Sequence, residues 1–174
     1  IYYSTSSGRT TTTAAWGSTS SAATGYLKSV RVSGKNGDYE KNLPWYRWTV
    51  DVTAARLSTI LYKNTGKDVG SIRKIYISKR GPGKVALELK VKDKGNLTIK
   101  TENKIRSALA GDYDIRKQDG SKVKFRTLLP SAFITITKKK SQIHIRGGGF
   151  GHGIGMSQTG ANEMAKQGKT YKEN

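Results

Sequence analysis

The stretch GGGFGHGIGMSQTGA, residues 147–161, governs how this 174-residue chain is read. Six of the nine residues from Gly147 to Gly155 are glycine, with a single histidine, His152, among them. Glycine is costly to order and supplies no side chain to pack. A run of this kind marks a place where backbone turns sharply or where something comes close, a ligand or another strand. It is not a phosphate loop, because no Gly-Lys-Ser/Thr follows at the right spacing. It is not a dinucleotide fingerprint, because no G-x-G-x-x-G register fits and no βαβ unit surrounds it. What remains is a strand, a glycine-lined loop holding His152, and a helix entered near Ser157. Helix N-termini offer free amides and partial positive charge. Two readings stay open. An anionic or polyhydroxyl ligand could rest there, with Ser157 and Gln158 as hydrogen-bonding groups. Alternatively, the glycines let the loop pack under the sheet, with His152 bonded to a backbone carbonyl.

Working outward, QIHIRG runs into the glycines as a strand, preceded by strand candidates VKFRTL (123–128) and AFITIT (132–137). Beyond them a helix over about 156–167 buries Met156, Ala161, Met164 and Ala165, and Gly168 ends it as a C′ residue. Thr170 and Glu173 form a capping box at the start of another helix. The opening IYYS reads as strand. With both ends cut inside elements, the expectation is an excised piece of a longer protein, one domain over 1–174 truncated at each end.

Residues 4–24 are rich in Ser, Thr, Ala and Gly, but Trp16 and flanking tyrosines argue for an ordered, loosely patterned segment. LKSVRV (27–32) reads as a short strand and SGKNGDYEKNLP (33–44) as a flexible loop carrying Asp38 and Glu40. YRWTVDV alternates, with Tyr46, Trp48, Val50 and Val52 on one face and Arg47, Thr49 and Asp51 on the other. Thr53 then caps a helix whose apolar side is Leu57, Ile60 and Leu61. SIRKIYIS (71–78), VALELKV (85–91) and NLTIK (96–100) make a meander, and ENKIRSALA (102–110) a short helix. The sum is α+β, mostly antiparallel β with about three short helices. Residues 71–137 are read as an inserted β-rich subdomain.

The chain carries 32 Lys+Arg against 12 Asp+Glu, a net charge of +20. Such an excess predicts attraction to a polyanion: nucleic acid, an acidic membrane or an anionic wall polymer. No helix-turn-helix, RNP or zinc pattern appears, so no specific nucleic acid is expected. Cysteine is absent, which removes disulfides and thiolate metal sites. No apolar stretch approaches the roughly 20 residues of a membrane helix.

The glycine stretch resembles the C-terminal signature of the SpoIID/LytB family, the sporulation and amidase-enhancer proteins of bacterial cell walls. That pattern reads G-x-G-[YF]-G-H-G-x-G-M-S-Q-x-G-A, then an alanine-rich helix, then G-x-[ST]-Y. Gly147, Gly149, Phe150, Gly151, His152, Gly153, Gly155, Met156, Ser157, Gln158, Gly160 and Ala161 match it, as do Gly168, Thr170 and Tyr171. YYSTSSGRTTTTAAWG resembles the family's Y-x-S-x-S-G-G-x-T…W segment through Tyr3, Ser4, Ser6, Gly8, Thr10 and Trp16, with Arg9 where a second glycine is common. LPWYRWTV, NKIRSALA and LLPSAFITI resemble further segments.

The resemblance implies a cell-envelope protein, secreted or membrane-anchored through a segment before Ile1. It also implies lytic transglycosylase chemistry, cleaving the MurNAc–GlcNAc bond of denuded peptidoglycan to a 1,6-anhydro end. One carboxylic acid protonates the glycosidic oxygen and then takes the proton of the attacking 6-hydroxyl. The family's catalytic Glu lies in an E-M-P-x-[SE] segment upstream of the Y-x-S region, outside these residues, so this chain alone is expected to be inactive. Among its own carboxylates Glu163 is the weak candidate, while Glu88, Asp112 and Asp114 read as solvated or turn residues. Some members carry His or Cys near the Y-x-S segment, suited to a metal. Tyr3, Ser6 and Ser7 stand there here, so neither metal nor cofactor is expected. Denuded strands carry a free lactyl carboxylate on each MurNAc, which the positive charge would attract. The implied substrate-binding set is Gly151, His152, Gly153, Ser157, Gln158, Tyr3, Ser4, Trp16, Arg47 and Phe150. Tyr46 and Trp48 are further stacking candidates that also read as core. The other function implied is a non-catalytic peptidoglycan-binding module or amidase activator, with a cell-wall amidase as partner.

Overall fold

Alternating sequence becomes strand where one face can be buried, and the central sheet of this α+β chain is built on that rule. The computed structural model describes residues 1–18, 27–93 and 95–173; residues 19–24 of the Ser/Thr-rich segment fall outside the described residues. Strands β1 (Tyr2–Tyr3), β2 (Ser33–Gly34), β3 (Gly37–Asp38) and β4 (Trp48–Thr53) lead into helix α1 (Ala54–Thr65). A meander follows, β5 (Lys74–Arg80), β6 (Ala86–Lys92) and β7 (Asn96–Lys100), then helix α2 (Glu102–Leu109). The chain ends with β8 (Ile115–Lys117), β9 (Lys122–Val123), β10 (Ile134–Lys139), β11 (Gln142–Gly147), β12 (Met156–Ser157) and helix α3 (Gln158–Lys166).

The central sheet has order β10-β11-β4-β8-β9 and is antiparallel throughout. Its inner face carries Trp48, Val50 and Val52 from β4, Ile143 and Ile145 from β11, and Ile134 and Ile136 from β10, all buried. Leu57 and Leu61 of α1 pack into the same core, with Ile60 partly buried beside them. The outer face is polar: Asp51 accepts from Arg146 and meets His144 Nδ1 at 2.6 Å. That histidine contact, more than the arginine, holds the Asp51 carboxyl below its usual range. The meander forms its own sheet, ordered β5-β6-β7, while β8, β9 and β10 join the central one.

Thr53 caps α1 as its position before the apolar periodicity predicts, its Oγ1 accepting from Arg56 N at 3.1 Å. Thr53→Ala is expected to lower stability by about 1 kcal/mol, with Thr53→Ser restoring it. Urea midpoints of the three proteins check this.

Several local expectations give way to tertiary contacts. Residues 27–32 form no strand, because Thr10 occupies the bonding positions of Val30: Thr10 N donates to Val30 O, and Val30 N donates to Thr10 Oγ1. Tyr46 leaves the β4 face, because Pro44 starts a 3-10 turn over Pro44–Tyr46 and the Tyr46 hydroxyl donates to Asp38 Oδ2 at 2.5 Å. Of VKFRTL (123–128) only Val123 pairs, in the two-residue strand Lys122–Val123, and Phe125 turns instead onto Trp45 and Phe150. Met156 is 47% exposed and Ala165 is exposed. The cause at Met156 is strand β12, which pairs in parallel with β1 and delays the helix to Gln158. The 33–44 segment is not a free loop, since it holds the β2–β3 hairpin and buries Glu40 to 1% exposure.

Candidate functional site

The glycine loop is lined by the chain's own N-terminal segment. Thr5 bridges Phe150, Thr11 bridges Ile154, and β1 pairs with β12. Added Cβ atoms show what the glycines admit. At Gly149 one would stand 2.7 Å from Thr5 O, at Gly151 2.7 Å from Tyr3 Cβ, and at Gly155 2.4 Å from Ile1 O. All three have φ near +80° or above, a region that glycine enters without steric cost.

Beneath this loop lies a buried polar support. Arg106 of α2 donates from Nε to Leu129 O at 2.8 Å and from NH2 to Pro130 O at 3.2 Å. Pro130 O also accepts from Gly151 N, and Ser131 Oγ donates to Gly148 O at 2.7 Å. Arg106 pairs with buried Glu102 at 3.1 Å. Burial pushes the Glu102 carboxyl up, against the pull of Arg106 and of a hydrogen bond from the Trp16 side chain. The chain of contacts therefore runs from Trp16 through Glu102 and Arg106 to the backbone that seats the loop.

His152 lies at the front of this support, half-buried between Tyr3 and Trp16, whose ring centroids are 5.7 and 5.2 Å away. Its Nδ1 accepts from Ile154 N at 3.0 Å, which fixes the proton of the neutral ring on Nε2. The ring is also hydrogen bonded to the Tyr2 backbone, and burial, followed by the charge of Arg106, holds its basicity below the usual imidazole range. Tyr3 is buried and its phenol is pushed up by burial. Trp16 ends a short 3-10 helix, Thr13–Trp16, capped by Thr12 and Gly17, and remains 45% exposed.

The other implied residues fall elsewhere around the loop. Ser157 is the N-cap of α3, accepting from Gly160 N; Gln158 is exposed beside it. Ser4 contributes its carbonyl to Thr159 N. Gly153 is buried against Phe133. Arg47 is exposed over the Tyr46 ring, donating to Ser7 O and Tyr46 O. Phe150 joins Trp45 and Phe125 in a three-ring cluster, and Lys117 stands over Trp45. Glu163 is tied to Lys166 at 2.6 Å.

The residue that sequence reasoning passed over is Glu40. Its Oε1 accepts from Ser6 N at 2.9 Å, from Ser157 Oγ at 2.7 Å and from Thr159 Oγ1. Burial raises its carboxyl above the usual range, against those three bonds, and Glu163 adds repulsion. No local periodicity could announce it, because the donors lie 34 and more residues away in sequence. Trp45 and Phe125 were missed for the same reason, although the aromatic density of PWYRW was a signal.

Over residues 19–155 the chain matches the family described as Domain of unknown function (DUF8618). The chain belongs to the DUF8618 family. The match ends at Gly155, inside the glycine stretch. The family member described here is also similar to the amidase enhancer of Bacillus subtilis (strain 168), 29% identical over 157 residues, 83% of this chain and 22% of that protein. Stage II sporulation protein D of the same organism is 29% identical over 170 residues, 97% of this chain and 40% of that protein. An uncharacterized protein of Brachyspira hyodysenteriae is 41% identical over 86 residues, 47% of this chain and 23% of that protein. The chain thus spans 22% to 40% of the length of these relatives.

Proposed function

We propose that this chain binds peptidoglycan glycan strands as part of a cell-envelope protein that processes them. The reading is carried by Trp16, an indole held from behind by Glu102 and His152 and open in front, beside the loop that carries the family resemblance. An aromatic face fixed in this way suits a sugar ring, which offers apolar C–H surface to stack and hydroxyls to hydrogen bond. The names of two relatives, amidase enhancer and stage II sporulation protein D, agree with a wall role. The net charge of +20 would draw denuded strands with their lactyl carboxylates.

Transglycosylase chemistry within the parent protein is the finer reading, supported by the motif resemblance. It needs an acid that reaches the glycosidic oxygen. Glu40 has the raised carboxyl such an acid requires, but it is buried to 1% exposure with one oxygen fully engaged. Glu102 faces Arg106 and Glu163 faces Lys166. These pairings favour binding over bond cleavage for this chain by itself, which also fits a role in activating an amidase.

Trp16→Ala is expected to weaken binding of denuded glycan strands about tenfold, the order of 1.4 kcal/mol. Titration calorimetry on wild type and variant, with melting temperatures as the folding control, makes the test. Equal affinities would remove Trp16 from the site and the reading with it. Anhydro-MurNAc ends released by this chain from the same strands would show cleavage and reject the binding-only role.

A further inference from the structure

The outer face of the meander carries a charge arrangement that folding alone does not favour. Its inner face is core, with Ile75, Leu89, Val91, Leu97 and Ile99 buried. On the outer face Lys74 of β5 stands directly opposite Lys92 of β6. Like charges directly opposite across a sheet are destabilising. Neither lysine meets a carboxylate within 4 Å among the described residues. Instead both ammonium groups stand over the ring of Tyr76, at 4.8 and 5.8 Å from its centroid. In the next row Tyr76 is opposite Lys90, and Lys90 is opposite Thr98.

Lysines on edge strands commonly guard against unwanted strand pairing. That device explains Lys74 and Lys100 but not Lys90 and Lys92, because β6 is the central strand of the three. An exposed cation–π contact contributes about 0.5–1 kcal/mol. Cross-strand repulsion is of similar size, so the cluster gives no clear gain to the fold. What it does provide is an aromatic ring beside two cations that meet no acidic partner among the described residues.

We propose that this face is a second glycan subsite, binding a carboxylate-bearing sugar strand with one ring against Tyr76 and its carboxylate between Lys74 and Lys92. The proposal rests on the glycan reading above and names an additional place on the same strand or on a neighbouring one. The row beyond Tyr76 decides between polymers. Glu88 lies there, 3.7 Å from Lys90 and 3.9 Å from Lys100, with Ser78 Oγ donating to it at 2.8 Å. A nucleic-acid backbone carries a charge at every nucleotide and would meet this carboxylate. A glycan with one carboxylate per disaccharide passes Glu88 with an uncharged sugar. Thr98 and Asn96, exposed on β7, offer hydrogen bonds to hydroxyls.

The experiment uses the 174-residue chain, its Lys74→Gln/Lys92→Gln double variant and Trp16→Ala. Three probes are titrated at two salt concentrations: denuded glycan strands, the same strands with lactyl carboxylates amidated, and a single-stranded DNA oligonucleotide. The double variant should bind denuded strands about five- to tenfold more weakly. Its melting temperature should not fall, because a like-charge pair has been removed. On amidated strands it should equal wild type. Unchanged affinity of the double variant for denuded strands, with Trp16→Ala still impaired, overturns this subsite and leaves the glycan reading standing. An equal loss on amidated strands overturns it as well, since the carboxylate would then play no part. No binding of wild type to either glycan overturns both. If in that case the double variant loses DNA affinity, the face belongs to nucleic acid.

Discussion

Gly149→Ala should destabilise the protein by about 4 kcal/mol, combining left-handed backbone strain with overpacking. Gly149 has φ +79°, and a Cβ there would lie 2.7 Å from Thr5 O and 3.0 Å from Ser7 N. Those are backbone atoms, which cannot rotate aside as a flexible side chain would. Nor can Gly149 itself retreat. Its N–H donates to Trp45 O at 2.8 Å, and its carbonyl accepts from buried Trp48 Nε1 at 3.0 Å. The methyl would therefore push the N-terminal segment off the loop. Gly168→Ala is the matched control, with φ +83° but nothing within 4 Å of the added Cβ among the described residues. Its cost should be the conformational part alone, about 1–2 kcal/mol. Urea unfolding of the two variants measures the difference. Equal costs would mean that close approach is not what the glycine serves. A domain of this size is stable by about 5–15 kcal/mol, so the expected loss is a large share.

Glu40→Ala should cost about 3 kcal/mol. Two of the three donors to Glu40 have an alternative: Ser157 Oγ and Thr159 Oγ1 lie 3.3 and 3.1 Å from Ser4 O. Ser6 N has none, and Ser6 is fully buried. One orphaned amide costs about 1–3 kcal/mol, and the vacated side-chain volume adds a cavity term. Glu40→Gln keeps the accepting Oε1 and removes the ionisable proton, so it should lie close to wild type at low pH. With rising pH the two should diverge. Burial raises Glu40 in the folded chain, so the folded state holds the proton more tightly than the unfolded one. That linkage stabilises fully below the unfolded value, about 4.3, and is lost as pH rises through the folded one. Wild type should therefore lose stability relative to Glu40→Gln from about pH 4 upward. Glu102 shifts in the same direction but is present in both proteins and cancels in the comparison. A constant difference across pH would show that Glu40 is not the titrating group.

Both predictions concern the way the N-terminal segment, the glycine loop and α3 are locked together, and that lock positions Trp16 and His152. The elements with a one-dimensional signature could be read without any structure. Alternation placed Trp48, Val50 and Val52 on one buried face, and Val85, Leu87, Leu89 and Val91 on another, of which Leu87 is only partly buried. Thr53 was recognisable as a cap, and Thr170 with Glu173 as a capping box, in which Glu173 accepts from Thr170 N at 2.8 Å. These features depend on neighbours within a few residues, so spacing carries them. The glycine stretch was legible as a place of close approach, with both ligand and backbone open as the thing approaching.

The tertiary structure decided the rest. It put residues 1–11 against the glycines, because the partner of Gly149 is Thr5, on the far side of the whole chain. It buried Glu40 by bringing in a hydroxyl 117 residues away. It exposed Met156 by committing that residue to a parallel strand pair with Tyr2 rather than to a helix. A sequence specifies which groups must be covered or bonded. When a polar atom's partners lie a hundred residues away, only the packed chain shows which atoms meet the need.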